Sequence, residues 1–230
     1  MKPFHTIAIP HKDILAGKLT MEVFAADLWN VFNDKGPDEY KDADLFFKKT
    51  YMTNGLNRLI NVVKKRIDEK SGDSVIQIQT PFGGGKTHSL IALFHKAKQW
   101  NVKPVIIVGT EWPGNETLWS IFERQLTGKN EVMKGLTSPG KEKIKSLLEK
   151  YSPVIILMDE LLEYFTKASA VNVGSSNLAS QSLAFIQELT ESVSTVSKAV
   201  LVITLPSSIL EHYDSNTEKL YRQLLHITGR

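Results

Sequence analysis

The sequence predicts an α/β fold: a parallel β-sheet covered by helices on both faces, in three αβα layers, preceded by an N-terminal helical segment. Two observations carry that prediction. Four short runs rich in β-branched residues, "VIQIQ" (75–79), "PVIIVG" (104–109), "PVIILM" (153–158) and "AVLVIT" (199–204), are each separated from the next by helix-compatible sequence. They are apolar without period-2 alternation, as strands buried on both faces are. The texture changes at "SGDS" (71–74), which divides a helical segment, residues 1–74, from a core, residues 75–230.

Taken in order, the first 74 residues carry helical patterns after the short "TIAIP". From Thr20 to Phe32 the apolar positions Ala25, Leu28, Trp29 and Phe32 fall at helical spacing, and Leu56, Leu59, Ile60, Val63 and Ile67 repeat it after the turn-like "TNG". Two amphipathic helices are expected, joined by the polar "NDKGPDEYKDAD", whose Gly and Pro argue for a loop. In the core, "TKASAVNVGSSNLASQS" (166–182) is poor in charge and rich in small polar residues, and reads as a mobile loop between two helices.

Composition bounds the function. At 230 residues and 42% hydrophobic content the chain can bury a sizeable core. A net charge of +3, from 28 basic against 25 acidic residues, is too slight to point to a nucleic-acid or membrane surface. There are no cysteines, which excludes disulfides and thiolate metal sites and fits a cytoplasmic location. The longest apolar runs, such as "AVLVI" (199–203), fall far short of the roughly 20 residues needed to span a bilayer.

The chemistry concentrates in "QTPFGGGKTH" (79–88), which lies between a strand and the helical "HSLIALFHKAK". Strand, glycine-rich loop and helix are the setting a phosphate-binding loop requires. Gly83, Gly84 and Gly85 would let backbone N–H groups approach phosphate oxygens at a helix N-terminus, whose dipole favours anions. Lys86 would reach the β and γ phosphates of a nucleotide, and the Thr87 hydroxyl would ligate Mg²⁺. Where such loops usually begin with glycine this one has Thr80, and Thr80-Pro81 can start the turn because proline fixes φ and disfavours helix before it. Phe82 and His88 complete the candidate nucleotide-binding set, with His88 placed to touch phosphate or a subunit neighbour.

Two further runs would complete a site. "PVIILMDE" ends a buried strand with Asp159, a candidate Mg²⁺ ligand, and Glu160, a candidate base for the attacking water. Two acids favoured by a helix dipole are the plainer reading of that pair. "AVLVITLPSS" ends another strand at Thr204, which would either sense the γ-phosphate or satisfy its own turn ahead of Pro206.

In this order the three motifs resemble the additional-strand, catalytic-glutamate branch of P-loop ATPases, which includes AAA+ proteins. "FAADLWNVF", "FFKKTYMTNGL", "VIQIQTPFGGGKTHSLIALFH", "GTEWPGNETLWSIFERQL" and "SPGKEKIKSLLEKYSPVIILMDELLEY" are similar to successive blocks of the prokaryotic domain-of-unknown-function family numbered 499. Its members are large predicted ATPases, often encoded beside DNA methyltransferases and helicases, and the "TPFGGGKTH" form of the loop is habitual among them. The resemblance implies a three-layer P-loop NTPase fold. Lys86 and Thr87 match the loop lysine and Mg²⁺ ligand, Asp159 and Glu160 the Mg²⁺ and water-activating acids, and Thr204 the sensor position. By analogy with AAA+ proteins, "TYMTNGL" (50–56) would pass the adenine, although aromatic packing of Tyr51 also accounts for that residue. Family members are longer, so the chain is expected to be an N-terminal portion, with Arg222 and Arg230 either trans-acting arginines or solvated ones.

"VVKKR" (62–66) and "GKEKIKSLLEK" (140–150) would face nucleic acid or, the reading the apolar spacing favours, present a solvated basic face. The resulting expectation is an ATP- and Mg²⁺-dependent ATPase module, weak alone, that powers a DNA-modification or anti-phage assembly through protein partners or self-assembly. A nucleotide-gated interaction module with little turnover is the alternative. A small-molecule kinase is disfavoured because no arginine-rich lid follows the loop.

Overall fold

In the computed structural model, residues 16, 26–69, 71–81, 83–207 and 215–229 are described. "TIAIP", the first part of the Thr20–Phe32 stretch, Phe82 and Arg230 lie outside them. Four parallel strands, β1 (Val75–Thr80), β2 (Lys103–Val108), β3 (Val154–Asp159) and β6 (Ala199–Pro206), form one sheet in the order β1-β6-β3-β2. All four coincide with the expected β-branched runs. Consecutive residues of a strand face opposite layers, so each strand feeds two cores. Ile106, Ile155, Leu157, Val200 and Val202 face one, and Val105, Ile107, Ile156, Met158, Leu201 and Ile203 the other.

The first face is covered by the N-terminal helices α1 (Leu28–Phe32), α2 (Asp38–Lys41), α3 (Ala43–Lys49) and α4 (Asn54–Glu69), together with α5 (Lys86–Gln99). Against the second pack α6 (Leu118–Thr127), α7 (Lys141–Tyr151), α8 (Leu161–Ala168), α9 (Leu178–Thr195) and α10 (Ser215–Thr228). The chain is thus a mixed α/β fold with helices on both sides of a four-stranded parallel sheet. Among the described residues no helix is long and apolar enough to cross a membrane.

Two expectations are corrected. The "NDKGPDEYKDAD" stretch is not a plain loop: it contains α2, and Asp42 accepts a hydrogen bond from the Leu45 N–H (2.8 Å) to start α3. Helices of one or two turns are too short to show a 3.6-residue period, and α3 is held by burial of Phe46 instead. Nor is 166–182 a mobile loop. Its middle is a small hairpin, β4 (Asn172–Val173) with β5 (Ser176–Asn177), and its end is the start of α9, where Asn177 caps the helix by accepting from Ser180 N–H (2.9 Å). Leu178, Ala179 and Ser182 are fully buried there, the two small side chains serving close packing.

The basic clusters divide. Lys64 and Lys65 pair with Asp68 and Glu69 on the surface of α4, and α7 turns Ile144, Leu147 and Leu148 inward while its lysines stay outside. Arg66 departs from the solvated-face reading, being only 7% exposed. Its guanidinium donates to the carbonyls of Val193 (2.8 Å), Val196 (2.9 Å) and Ala199 (3.1 Å), tying α4 to the end of α9 and the start of β6. These carbonyls include the last ones of a helix, which have no partner within it.

Candidate functional site

The glycine-rich loop leaves β1 at Thr80 and enters α5 at Lys86. Gly83 and Gly85 have φ of 75° and 76°, a region that side chains with a Cβ avoid. Gly84 is required for a different reason. A Cβ there would stand 2.4 Å from Thr80 Oγ1 and 2.9 Å from the Pro81 carbonyl oxygen. The loop has exchanged one bulk for another: the threonine at the start of the turn fills the space that a side chain at Gly84 would need. Thr80 Oγ1 is itself buried and makes no hydrogen bond. The Gly84 N–H donates to Pro81 O (3.0 Å), which closes the turn that Thr80-Pro81 begins.

Lys86, at the first turn of α5, folds back to donate to Thr80 O (2.9 Å) and Pro81 O (3.2 Å). Its ammonium therefore lies over the loop with only carbonyl partners, to which an anion would be a stronger acceptor.

Thr87 points the other way, donating to Asp159 Oδ2 (2.7 Å) across 72 residues of sequence. Asp159 ends β3 and is 3% exposed. Its other oxygen accepts from the Thr204 hydroxyl and from the Glu160 N–H (3.1 Å). The Thr204 hydroxyl thus bonds the acid that ends the neighbouring strand and not its own turn ahead of Pro206. Burial without these donors would cost a carboxylate several kcal/mol. Parallel register explains the meeting, since β6 lies between β1 and β3 and all three strands end at the same edge of the sheet.

Glu160 follows at φ 53°, the residue before α8. Its Oε2 accepts from Thr110 Oγ1 (2.8 Å). Burial raises its pKa above the ordinary glutamate value; the Thr110 bond opposes that shift, and the charges of Asp159, Glu163 and Asp27 add to it. Thr110 was not singled out from the sequence. The signal was the pairing of β2 with β3, which sets Val108 opposite Asp159 and so brings the next residues of both strands together.

His88 is turned toward the N-terminal helices. Its ring lies 4.6 Å from that of Phe46, and its Nε2 is 3.0 Å from Thr50 Oγ1. The Thr50 hydroxyl already donates to Phe46 O (2.7 Å), so His88 Nε2–H is the donor between them. Burial depresses the His88 pKa, which keeps the ring neutral. Next to Thr50, Tyr51 is 86% exposed, which overturns the aromatic-packing reading. Arg222 forms an exposed pair with Glu218 (2.6 Å), outside the loop cluster.

Thr87, Asp159, Glu160 and Thr204 thus come together with Thr110 added and Lys86 beside them on the loop, while His88 contacts the N-terminal segment at Phe46 and Thr50. A comparison with curated proteins returned no match. The model of the DUF499 N-terminal domain matches residues 8–104 and 98–228, nearly the whole chain. The loop, the acid pair and the helices that frame them all fall inside those two segments, and the chain belongs to the DUF499 family.

Proposed function

We propose that this chain binds ATP with Mg²⁺ at the glycine-rich loop and hydrolyses it, as an AAA+-like P-loop ATPase module. One observation carries the reading: the 2.7 Å bond from Thr87, the residue after Lys86, to Asp159 at the end of β3. A hydroxyl at a helix N-terminus and a buried carboxylate are thereby set side by side next to a glycine-rich loop and its lysine. Strand order supports the same reading, because β6 separates the loop-bearing strand from the acid-bearing one, as in the additional-strand branch that the sequence resembles.

The residues fit the ligands. Hydroxyl and carboxylate oxygens are the donors Mg²⁺ prefers. Among the described residues no group of three or more His, Asp or Glu side chains is arranged as a metal cage, so a cation would complete its shell with phosphate oxygens and water. Bound Mg²⁺ would neutralise phosphate charge. The chain's own part is positioning and electrostatics. Lys86 exchanges the Thr80 and Pro81 carbonyls for phosphate oxygens. Thr204 holds Asp159 in place, and the Glu160 carboxylate orients a water and accepts its proton. Tyr51, exposed beside the Thr50–His88 contact, offers a face to the adenine.

Calorimetric titration with ATP and Mg²⁺ tests the site: the unmodified chain binds and Lys86→Ala does not, whereas undiminished affinity in that variant rules the site out. In the full-length protein Glu160→Gln retains binding and loses turnover. Survival of multiple turnover would remove Glu160 from the mechanism. A second reading, a nucleotide-gated interaction module, is favoured by the engagement of Glu160 with Thr110; it takes over if the unmodified full-length protein never hydrolyses ATP with any partner. Service in a DNA-modification or anti-phage assembly, through protein partners or self-assembly, rests on the family resemblance. Stimulation of turnover by duplex DNA or by a co-encoded protein is its test.

A further inference from the structure

Helix α8 and the segment 109–116 that follows β2 lie flush against each other from one end of the helix to the other. A Cβ at Gly109 would come within 2.1 Å of the Glu160 carbonyl oxygen, and one at Gly114 within 2.6 Å of the Lys167 backbone. Only glycine allows backbone to approach backbone at both points. Between them the contact is polar. Lys167 Nζ donates to Thr110 O (3.1 Å) and Trp112 O (2.5 Å), and the buried Tyr164 donates its hydroxyl to Glu116 O (2.8 Å).

A lysine in the last turn of a helix ordinarily favours its own helix's terminal carbonyls. Lys167 instead serves the neighbouring segment, and it does so at the residue that matters: Thr110, whose carbonyl Lys167 holds, donates its hydroxyl to Glu160 Oε2 (2.8 Å). Glu160 caps the start of the same helix whose last turn carries Lys167. The segment has other anchors, since Trp112 packs edge-on against Trp29 (5.0 Å) and beneath the Arg124 guanidinium (5.5 Å). Loss of the lysine therefore leaves it attached but free to shift at Thr110.

We propose that Lys167 is a positioning residue for Glu160: by gripping the carbonyls of Thr110 and Trp112 it fixes the segment from which Thr110 orients the Glu160 carboxylate. Its consequence for catalysis rests on the ATPase reading; the positioning itself does not.

The test uses NMR on the 230-residue chain. In Lys167→Met the nuclear Overhauser contact between the Thr110 methyl and the Glu160 side chain weakens. The three-bond couplings that report Thr110 χ1 move from a single rotamer toward averaged values, with the strand signals unchanged. Lys167→Arg restores both. If Lys167→Met does not fold, Gly114→Ala, which pushes the same segment off the same helix turn, is read for the same signals. Contact and couplings that persist in the folded variant overturn the proposal. In the hydrolysis assay Lys167→Met lowers kcat about tenfold to a hundredfold with KM for ATP unchanged, as for a misplaced catalytic group; a rise in KM with kcat intact overturns it. If the unmodified full-length protein never hydrolyses ATP with any partner while the Thr110 signals respond as stated, the ATPase reading fails and the positioning role stands.

Discussion

Thr80 and Gly84 occupy one space between them: the threonine hydroxyl lies 2.4 Å from where a Cβ on residue 84 would stand. The threonine in place of the usual first glycine is therefore matched by a glycine four residues later. Gly84→Ala is expected to distort the loop at a cost of about 1–3 kcal/mol, the range for overpacking, and to weaken ATP binding. Thr80→Gly in the same chain relieves the side-chain clash and restores part of the binding. Recovery is incomplete because the Pro81 carbonyl, 2.9 Å from that Cβ, remains. A double-mutant cycle read by calorimetry shows the coupling as non-additivity, and strict additivity would mean the two residues do not share the space.

Tyr51 separates base from phosphate recognition. Stacking of a base on an aromatic ring is worth roughly 1–3 kcal/mol, so Tyr51→Ala should weaken ATP binding by that amount. Affinity for inorganic triphosphate, which has no base, should not change. Equal losses for both ligands would assign Tyr51 to the loop's architecture.

Arg66 makes a stability prediction independent of any ligand. Arg66→Ala leaves the carbonyls of Val193, Val196 and Ala199 without their donor. Unsatisfied buried groups cost about 1–3 kcal/mol each when solvent cannot reach them, and a loss of roughly 3 kcal/mol is expected in urea unfolding. Arg66→Lys should recover little, since one ammonium cannot span three carbonyls that a planar guanidinium reaches together.

The two histidines of α5, His95 buried and His88 half-buried, set a pH dependence. Burial is the main cause that lowers the pKa of both His88 and His95, and a bond to the Tyr40 carbonyl partly opposes it at His95. A histidine with a depressed folded-state pKa is charged more readily when unfolded, so the unfolded state binds the extra proton. Stability is complete above the ordinary histidine value near 6.5 and falls as pH drops below it toward the folded-state values. The urea midpoint should therefore be lower at pH 5.5 than at pH 7.5, with α2 and α3 loosening first in hydrogen exchange. Replacing His88 with Gln should reduce the difference, and an unchanged difference would place its origin elsewhere.

Much of this molecule is legible in its sequence. The four strands can be read because a strand buried on both faces must be apolar throughout, and the loop because glycines, lysine and threonine between a strand and a helix have few other uses. Asp159 and Glu160 stand out as acids ending an apolar run. The short helices α2 and α3 are not legible, since neither completes enough turns to display a period, and α9 begins in residues whose smallness reads as loop although it serves packing.

By itself the sequence determined which segments become strands and which residues carry charge and hydroxyl groups at their ends, because those depend on local composition and on the periods of helix and strand. Tertiary structure alone decided which of those ends meet. Placing β6 between β1 and β3 brings Thr204 and Thr87 to the two oxygens of Asp159, and pairing β2 with β3 brings Thr110 to Glu160. Close approach decided the rest: Gly84 yields to Thr80, and Arg66, one of several basic residues in its cluster, turns inward to the carbonyls of another helix. The contacts of Asp159, Glu160 and Arg66 join residues dozens to more than a hundred positions apart, and no pattern of neighbours along the chain encodes them.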